Sequence, residues 1–329
     1  MKITEEEIRP ENVFNEYLKL TAIDASNYFK NALKFDINCP ACEYSGDLWV
    51  SKQGFNYNLC PKCQTIYVSP RPEIEAFNAY YTDSPSTKFW ATTFYKITET
   101  ARREKLWKPK AELIKEKILS LSNSGSFDYI VDIGGGYGVF DEEIMKIMDI
   151  KTLIIEPSVH LAEICKKKGL QVIEKFMEEI HDYELPQVKK CFVSFELFEH
   201  LHNPKLFLQT VFNQMKAEDI FIFTTLSGIG VDIQLLKEHS KALSPPHHLN
   251  FFNPKSVSNL LVKCGFKVLC AETPGKLDMD IIFKNKDFIK DDYWKNLLTY
   301  LNQNESDKMQ EKIVDMGLSS HMMITCMKP

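Results

Sequence analysis

The sequence predicts an α/β fold: a doubly wound, mostly parallel seven-stranded sheet covered by helices on both faces, with a small cysteine-bearing module in front of it. Three observations predict it. From residue 129 onward short apolar runs alternate with amphipathic helical stretches, the rhythm of strand–helix crossovers in a parallel sheet. A run of glycines, Gly134, Gly135, Gly136 and Gly138, stands where the first of those strands turns into a helix. Two Cys-x-x-Cys pairs lie well upstream, at Cys39/Cys42 and Cys60/Cys63.

Taken in order, residues 1–36 form an N-terminal helical segment, charged at first and then carrying Tyr17, Leu18, Leu20, Ile23, Tyr28, Phe29 and Leu33 at helical spacing. Residues 37–72 change to short strand-like pieces, 48–50 and 65–68, broken by Pro and Gly and closed by Pro70, Arg71 and Pro72. Residues 73–119 are a helical linker or lid region rich in aromatics (Phe77, Tyr80, Tyr81, Phe89, Trp90, Phe94, Tyr95), with Pro109 expected to kink or divide the last helix. The domain 120–329 holds expected strands at 129–134, 152–156, 171–176, 191–195, 220–225, 266–271 and 321–327. Helices are expected at 140–148, 159–168, 204–215 and 256–264, and a polar helical insertion at about 276–318.

Composition narrows the function classes. With 44% apolar and 26% charged residues the chain is an ordinary folded protein, and a net charge of -5 gives no general attraction to a phosphate backbone. Nucleic acid is therefore disfavoured as a partner. No apolar run reaches the ~20 residues of a membrane span, and the acidic first residues lack the apolar core of a leader. Nine cysteines, four patterned and five single (Cys165, Cys191, Cys264, Cys270, Cys326), fit metal-bound and buried thiols in a reducing cytoplasm. The oligomeric state is not legible.

The cysteine spacing is specific. Two knuckles separated by 17 residues each present two thiolates, together the tetrahedral four-sulfur shell of a structural zinc, and the span between them suits the hairpin of a zinc ribbon. Four thiolates close such an ion to water, so its role is structural.

The glycine loop allows a sharp turn and close backbone approach to a ligand. A dinucleotide fingerprint requires glycine where Val139 stands. Asp132 at the mouth of the loop would repel a pyrophosphate and suit a ligand bearing cationic groups. Glu156, one crossover later, can accept hydrogen bonds from both hydroxyls of a ribose. No phosphate-binding loop of the nucleotide triphosphatases is present.

Asp132 to Gly138 resembles the D-x-G-x-G-x-G signature of class I S-adenosylmethionine-dependent methyltransferases, whose sheet is Rossmann-like. Glu156 is similar to their ribose-binding acid, and Phe195 to Leu201 to their segment after the fourth strand. The ribbon followed by Tyr67 to Pro72 and Tyr80-Tyr81 resembles the subgroup with an N-terminal zinc ribbon, which includes sugar-nucleotide C-methyltransferases and related surface-polysaccharide and natural-product enzymes. The resemblance implies that Gly134, Gly135, Gly136 and Gly138 hold the methionine part of the donor, that Glu156 holds its ribose, and that Phe195 and Glu196 flank it. It also implies a small polar acceptor. Arg102 and Arg103 are candidates for the donor carboxylate, weighed against a solvated basic face.

Methyl transfer from a sulfonium needs alignment and, for an oxygen or carbon nucleophile, removal of a proton. Histidine suits that task, and His200, His247 and His248 follow the fourth and fifth strands at the ligand-facing end of the sheet. His248 is the closer match to the base-bearing loop of sugar C-methyltransferases, although Pro245 replaces the tyrosine of that loop. Three other classes compete: an RNA methyltransferase gripping nucleic acid with the ribbon, a non-catalytic donor-binding protein, and a nicotinamide oxidoreductase. Donor binding, acceptor turnover and salt-dependent RNA binding separate them.

Overall fold

The computed structural model describes residues 4–121 and 127–329; the first three residues of the expected N-terminal segment and 122–126 at the start of the C-terminal domain lie outside the described residues. Seven strands form the main sheet: β1 (Tyr129–Ile133), β2 (Lys151–Ile155), β3 (Val172–Ile173), β4 (Lys190–Phe195), β5 (Ile220–Leu226), β6 (Lys267–Glu272) and β7 (His321–Met327). Their spatial order is β6-β7-β5-β4-β1-β2-β3. β1 to β5 run parallel, and β7 is antiparallel to both neighbours. The expected doubly wound, Rossmann-like fold is present. The third strand is shorter than the expected 171–176, because the chain leaves the sheet edge there and enters a 3-10 turn at Met177–Glu179.

Period-two alternation in the strands builds a core on each face. Val131, Ile133, Leu153, Phe192, Phe221, Phe223 and Ile324 meet the helices Pro204–Gln214 and Pro254–Lys263 through Phe207, Leu208, Leu260 and Leu261. On the opposite face Ile130, Cys191, Val193, Phe195 and Ile222 meet Ala111, Ile114 and Ile118 of the helix Lys108–Leu121, and Phe140 and Ile144 of Val139–Ile147. Sequence signals fix where helices begin. Asn203 and Asn253 accept from the backbone N–H of Leu206 (3.1 Å) and Ser256 (2.9 Å), each followed by proline at the first helical position. Pro109 does not divide its helix. The missing N–H instead coincides with a π-helical turn at Arg103–Trp107 that leads directly into Lys108–Leu121. Of the five single cysteines, Cys165, Cys191, Cys264 and Cys326 are buried; Cys270 is exposed.

The cysteine module does not stand apart. Its strands Asp47–Lys52, Phe55–Leu59 and Ile66–Val68 are joined by a fourth, Asn250–Phe251, contributed by the loop after β5. Asn250 lies opposite Tyr67 and Phe251 opposite Ile66. Cys39, Ala41, Cys60 and Tyr67 share one apolar cluster with Phe252, Val257 and Leu260. Polar pins reinforce it: Asn253 Nδ2 donates to Cys63 O (2.7 Å) and Lys263 Nζ to Ala41 O (3.1 Å).

Arg71 is the deepest pin, only 2% exposed. Its guanidinium donates to His202 O (2.6 Å), Leu249 O (3.4 Å) and the Asn250 side chain (2.7 Å), and that amide donates onward to Leu201 O (2.7 Å). Burial pushes the Arg71 pKa down to about 9, so it stays charged at neutral pH. Truncation would leave three buried acceptors short of a charged donor. Arg71→Met is therefore expected to lower stability by about 3 kcal/mol in urea denaturation. A change under roughly 0.5 kcal/mol, the size of ordinary surface substitutions, would contradict this role.

Candidate functional site

The glycine loop leaves β1 with Gly134, Gly136 and Gly138 all at positive φ (76°, 56° and 66°), a backbone that side chains strain. A Cβ on Gly135 would lie 2.8 Å from Asp132 Oδ2 and 2.9 Å from Ile154 Cγ2, and one on Gly138 would lie 2.3 Å from Leu170 Cδ1. A Cβ on Gly136 would meet nothing within 4 Å. The loop is thus packed tightly from below and open at Gly136. Glu156, just past β2, is locked against this opening: its oxygens accept from Gly136 N–H (3.0 Å) and Ser158 N–H (2.9 Å).

Asp132 departs from expectation. It is 1% exposed and lies under the loop, not at its mouth. Alternation explains this, since residues 130 and 132 point to the face covered by the helix Val139–Ile147. There Asp132 meets Asp141, also fully buried. Burial raises Asp132 well above the usual carboxylate range, with Asp141 adding repulsion, and burial lifts Asp141 to about 6. Asp132 therefore supports the loop from beneath.

Arg103 and Arg102 also separate. Arg103 is consumed by Glu142 (2.7 Å), Glu143 (2.5 Å) and Glu99 (3.2 Å). Arg102 instead sits against the rings of Trp90 and Tyr95, 5.9 and 5.8 Å from their centroids, with a buried Nε that has no hydrogen-bond partner among the described residues. Tyr95 in turn stacks on Tyr137 of the glycine loop at 3.7 Å. The aromatic cluster is mostly packing: Phe77, Tyr80 and Phe94 are fully buried.

Past β4 the chain turns at Glu196, in left-handed backbone at φ 53°. The Phe195 ring is core, edge-on to Phe140 at 4.7 Å, so only its backbone can border a ligand. Glu196 Oε1 accepts from Thr224 (2.6 Å) and His321 Nε2 (2.9 Å) and pairs with Lys110 Nζ at 3.6 Å. Burial opposes its charge, but His321 and then Lys110 hold its carboxyl well below the usual range. Nothing in the sequence marked Lys110, Thr224 or His321 as partners of this glutamate; they arrive from three distant segments.

The three histidines do come together. His200 and His248 rings are 4.7 Å apart, and His200 and His247 6.0 Å. His247, 6% exposed, has Nε2 held between the hydroxyls of Tyr17 (2.6 Å) and Tyr80 (2.5 Å). His248 donates Nδ1–H to Ala242 O (2.6 Å), which leaves Nε2 as the acceptor nitrogen. Burial lowers His247 to about 3 and His248 to about 4, and holds His200 well below its usual value. All three are neutral at pH 7. Beside them Glu199, 1% exposed, accepts from Thr225 (2.8 Å); burial, then the charge of Glu196, pushes it up to about 8.

The four ribbon thiols converge. Cys39 and Cys63 sulfurs are 3.4 Å apart, Cys42 and Cys60 3.5 Å, and all four lie within 4.8 Å of one another. The two knuckles repeat one geometry: Glu43 N–H to Cys39 O and Gln64 N–H to Cys60 O, with Glu43 and Gln64 both left-handed. The hydrogen bond from Cys39 depresses Cys63 to about 4, against burial. Donor type, number and spacing fit a tetrahedral zinc.

The model of a methyltransferase domain matches residues 102–271, more than half of the chain. No curated protein matches the sequence. Similar solved structures include the plantazolicin methyltransferase BamL with SAH (15% identity, 74% of this chain and 93% of that chain, TM-score 0.48). Others are an O-methyltransferase from a trans-AT PKS multienzyme of Brevibacillus brevis with S-adenosyl-L-homocysteine (14%, 71% and 76%, 0.46) and an S-adenosylmethionine-dependent methyltransferase from Clostridium acetobutylicum (11%, 71% and 97%, 0.45).

The crowding at Gly135 makes a prediction. Gly135→Val must displace Asp132 or Ile154, and is expected to destabilise the protein by roughly 1–3 kcal/mol, as overpacked cores do. Equal thermal stability of variant and parent would show that the loop has slack.

Proposed function

Because the chain belongs to the methyltransferase-domain family, we propose that it is a class I S-adenosylmethionine-dependent enzyme that methylates a small polar hydroxyl-bearing acceptor, such as a sugar nucleotide or a natural-product precursor. The observation that carries this reading is the group of neutral imidazoles, His200 and His248, gathered with Glu199 outside the carboxyl ends of β4 and β5. Ligands of open α/β sheets bind in that crevice.

S-adenosylmethionine supplies a methyl group already activated by a sulfonium. The chain's residues bind and align. In this proposal the backbone at Gly134, Gly135, Gly136 and Gly138 borders the methionine part, Glu156 accepts from the ribose hydroxyls, and Arg102 takes the carboxylate. Backbone at Phe195 and Glu196 flanks the donor, and Asp132 keeps the loop in shape. The opening at Gly136 and the unpartnered Arg102 Nε support the fit. On the acceptor side His248 Nε2 and His200 handle the acceptor's proton, while His247, tied to Tyr17 and Tyr80, positions the loop. Pro245 in place of the tyrosine of the C-methylating enzymes favours a heteroatom acceptor over carbon.

Cys39, Cys42, Cys60 and Cys63 hold a structural zinc in this reading. Among the described residues no helix is long and apolar enough to cross a membrane, and reduced, buried cysteines support a cytoplasmic location.

Calorimetric titration tests donor binding. S-adenosylhomocysteine is expected to bind, and Glu156→Ala to weaken it about 10–100-fold, the worth of one or two charged hydrogen bonds at roughly 1.5–3 kcal/mol each. Binding of NAD without S-adenosylhomocysteine would contradict the proposal. Elemental analysis is expected to find at least one zinc per chain, with one equivalent lost in Cys60→Ser; a zinc-free, fully folded protein would remove the metal.

A further inference from the structure

We propose that Glu199, His200 and His248 form a second metal site, a two-histidine, one-carboxylate centre for a divalent transition-metal ion that binds the acceptor hydroxyl. The chemical role rests on the methyl-transfer reading; the metal site itself does not.

One ligand atom from each residue lies within 4.8 Å of the other two. Two separate segments make this cluster, the turn after β4 and the loop before Asn250–Phe251, joined by the hydrogen bond from Leu249 N–H to Glu199 O (2.8 Å). Each ligand is prepared by a neighbour. The Ala242 carbonyl accepts the His248 Nδ1 proton, which fixes the tautomer and turns the Nε2 lone pair outward. The Thr225 hydroxyl occupies Glu199 Oε2 and leaves Oε1. The His200 ring makes no hydrogen bond among the described residues, although it is enclosed by two other histidines.

Charge makes the same case. Glu199 is 1% exposed and makes no ion pair within 4.0 Å among the described residues. The nearby cation Lys110 is spent on Glu196, as is the ring of His321. A buried carboxylate without a cation is costly, and a bound dication would supply that partner. Mixed imidazole and carboxylate donors suit Zn²⁺, Mn²⁺, Fe²⁺ or Co²⁺ better than Ca²⁺ or Mg²⁺, which prefer all-oxygen shells. Three protein ligands leave positions open for an acceptor.

Bound there, an acceptor hydroxyl becomes more acidic and loses its proton to solvent. Its oxygen attacks the sulfonium methyl: the O–CH3 bond forms, the S–CH3 bond breaks, and the electron pair returns to sulfur to give the neutral thioether. His200 and His248 then act as ligands, and the metal does the work of a base. Acceptors with two adjacent oxygens, such as vicinal diols, would chelate through the open positions.

Manganese is the probe, because the soft four-thiolate shell favours zinc over it. The full-length protein, treated with a chelator too weak to empty the ribbon, is titrated with Mn²⁺ and free ion is read by electron paramagnetic resonance. One equivalent is expected to bind, and affinity to fall at least about tenfold in Glu199→Gln and in His248→Gln, the lower end of losses on perturbing a metal centre. Circular dichroism checks that both variants fold. No uptake by the parent, or undiminished uptake by both variants, overturns the site. Methyl transfer to a hydroxyl at full rate with the chelator present overturns it too, while sparing the methyltransferase reading. Failure to bind S-adenosylhomocysteine would sink that reading and leave the manganese titration standing.

Discussion

The antiparallel pairing of Ile66–Val68 with Asn250–Phe251 is the contact on which the rest of the molecule depends. It is only two residues long, but Ile66, Tyr67, Phe251 and Phe252 are all fully buried around it. Burying each such side chain contributes roughly 1.5–3 kcal/mol, so the short ladder is stabilised mainly by its apolar cover. The segment it clamps is the one that carries His247 and His248. Tyr57 donates to His248 O (3.0 Å), and Val68 N–H and Arg71 both reach Leu249 O. The ribbon thus holds the histidine-bearing loop as a bracket, and a zinc in it would act on function by mechanical support alone.

The main sheet supplies the other half of the site. Its strand order reverses between β1 and β4, and the glycine loop, Glu156, Glu196 and Glu199 all emerge near that point. Two carboxylates there are stabilised in opposite ways. Glu196 keeps its charge through Lys110 and His321. Glu199, deeper and with no ion pair within 4.0 Å among the described residues, leans toward its neutral form, chiefly through burial, unless a cation arrives. Such divergence between adjacent carboxylates marks sites of chemistry more often than surfaces do.

Much of this was legible in the sequence. The strand–helix rhythm from 129 onward gave the seven strands because apolar periodicity is set by which faces the sheet buries, and the cysteine spacing marked the ribbon because two knuckles need that pattern. The glycines at 134, 136 and 138 read correctly as turn residues. Long-range partnerships were not legible. Asn250–Phe251 has no alternating pattern, so its role in the ribbon sheet is visible only in space. Tyr17 sits 230 residues from His247, and Glu196 is flanked by Lys110, on the helix before the first strand of the main sheet, and by His321, on its last strand. Asp132 was expected at the mouth of the loop because its position at the end of a strand says nothing by itself about which face it takes.

Hydrogen exchange across the whole chain, before and after the zinc proposed for the ribbon is stripped, tests the bracket most directly. Lost protection is expected to spread from 39–68 to 244–252, while β1 and β4 stay protected. Exchange confined to 39–63, with 244–252 unchanged, would show that the histidine loop holds its place without the ribbon and would contradict the account.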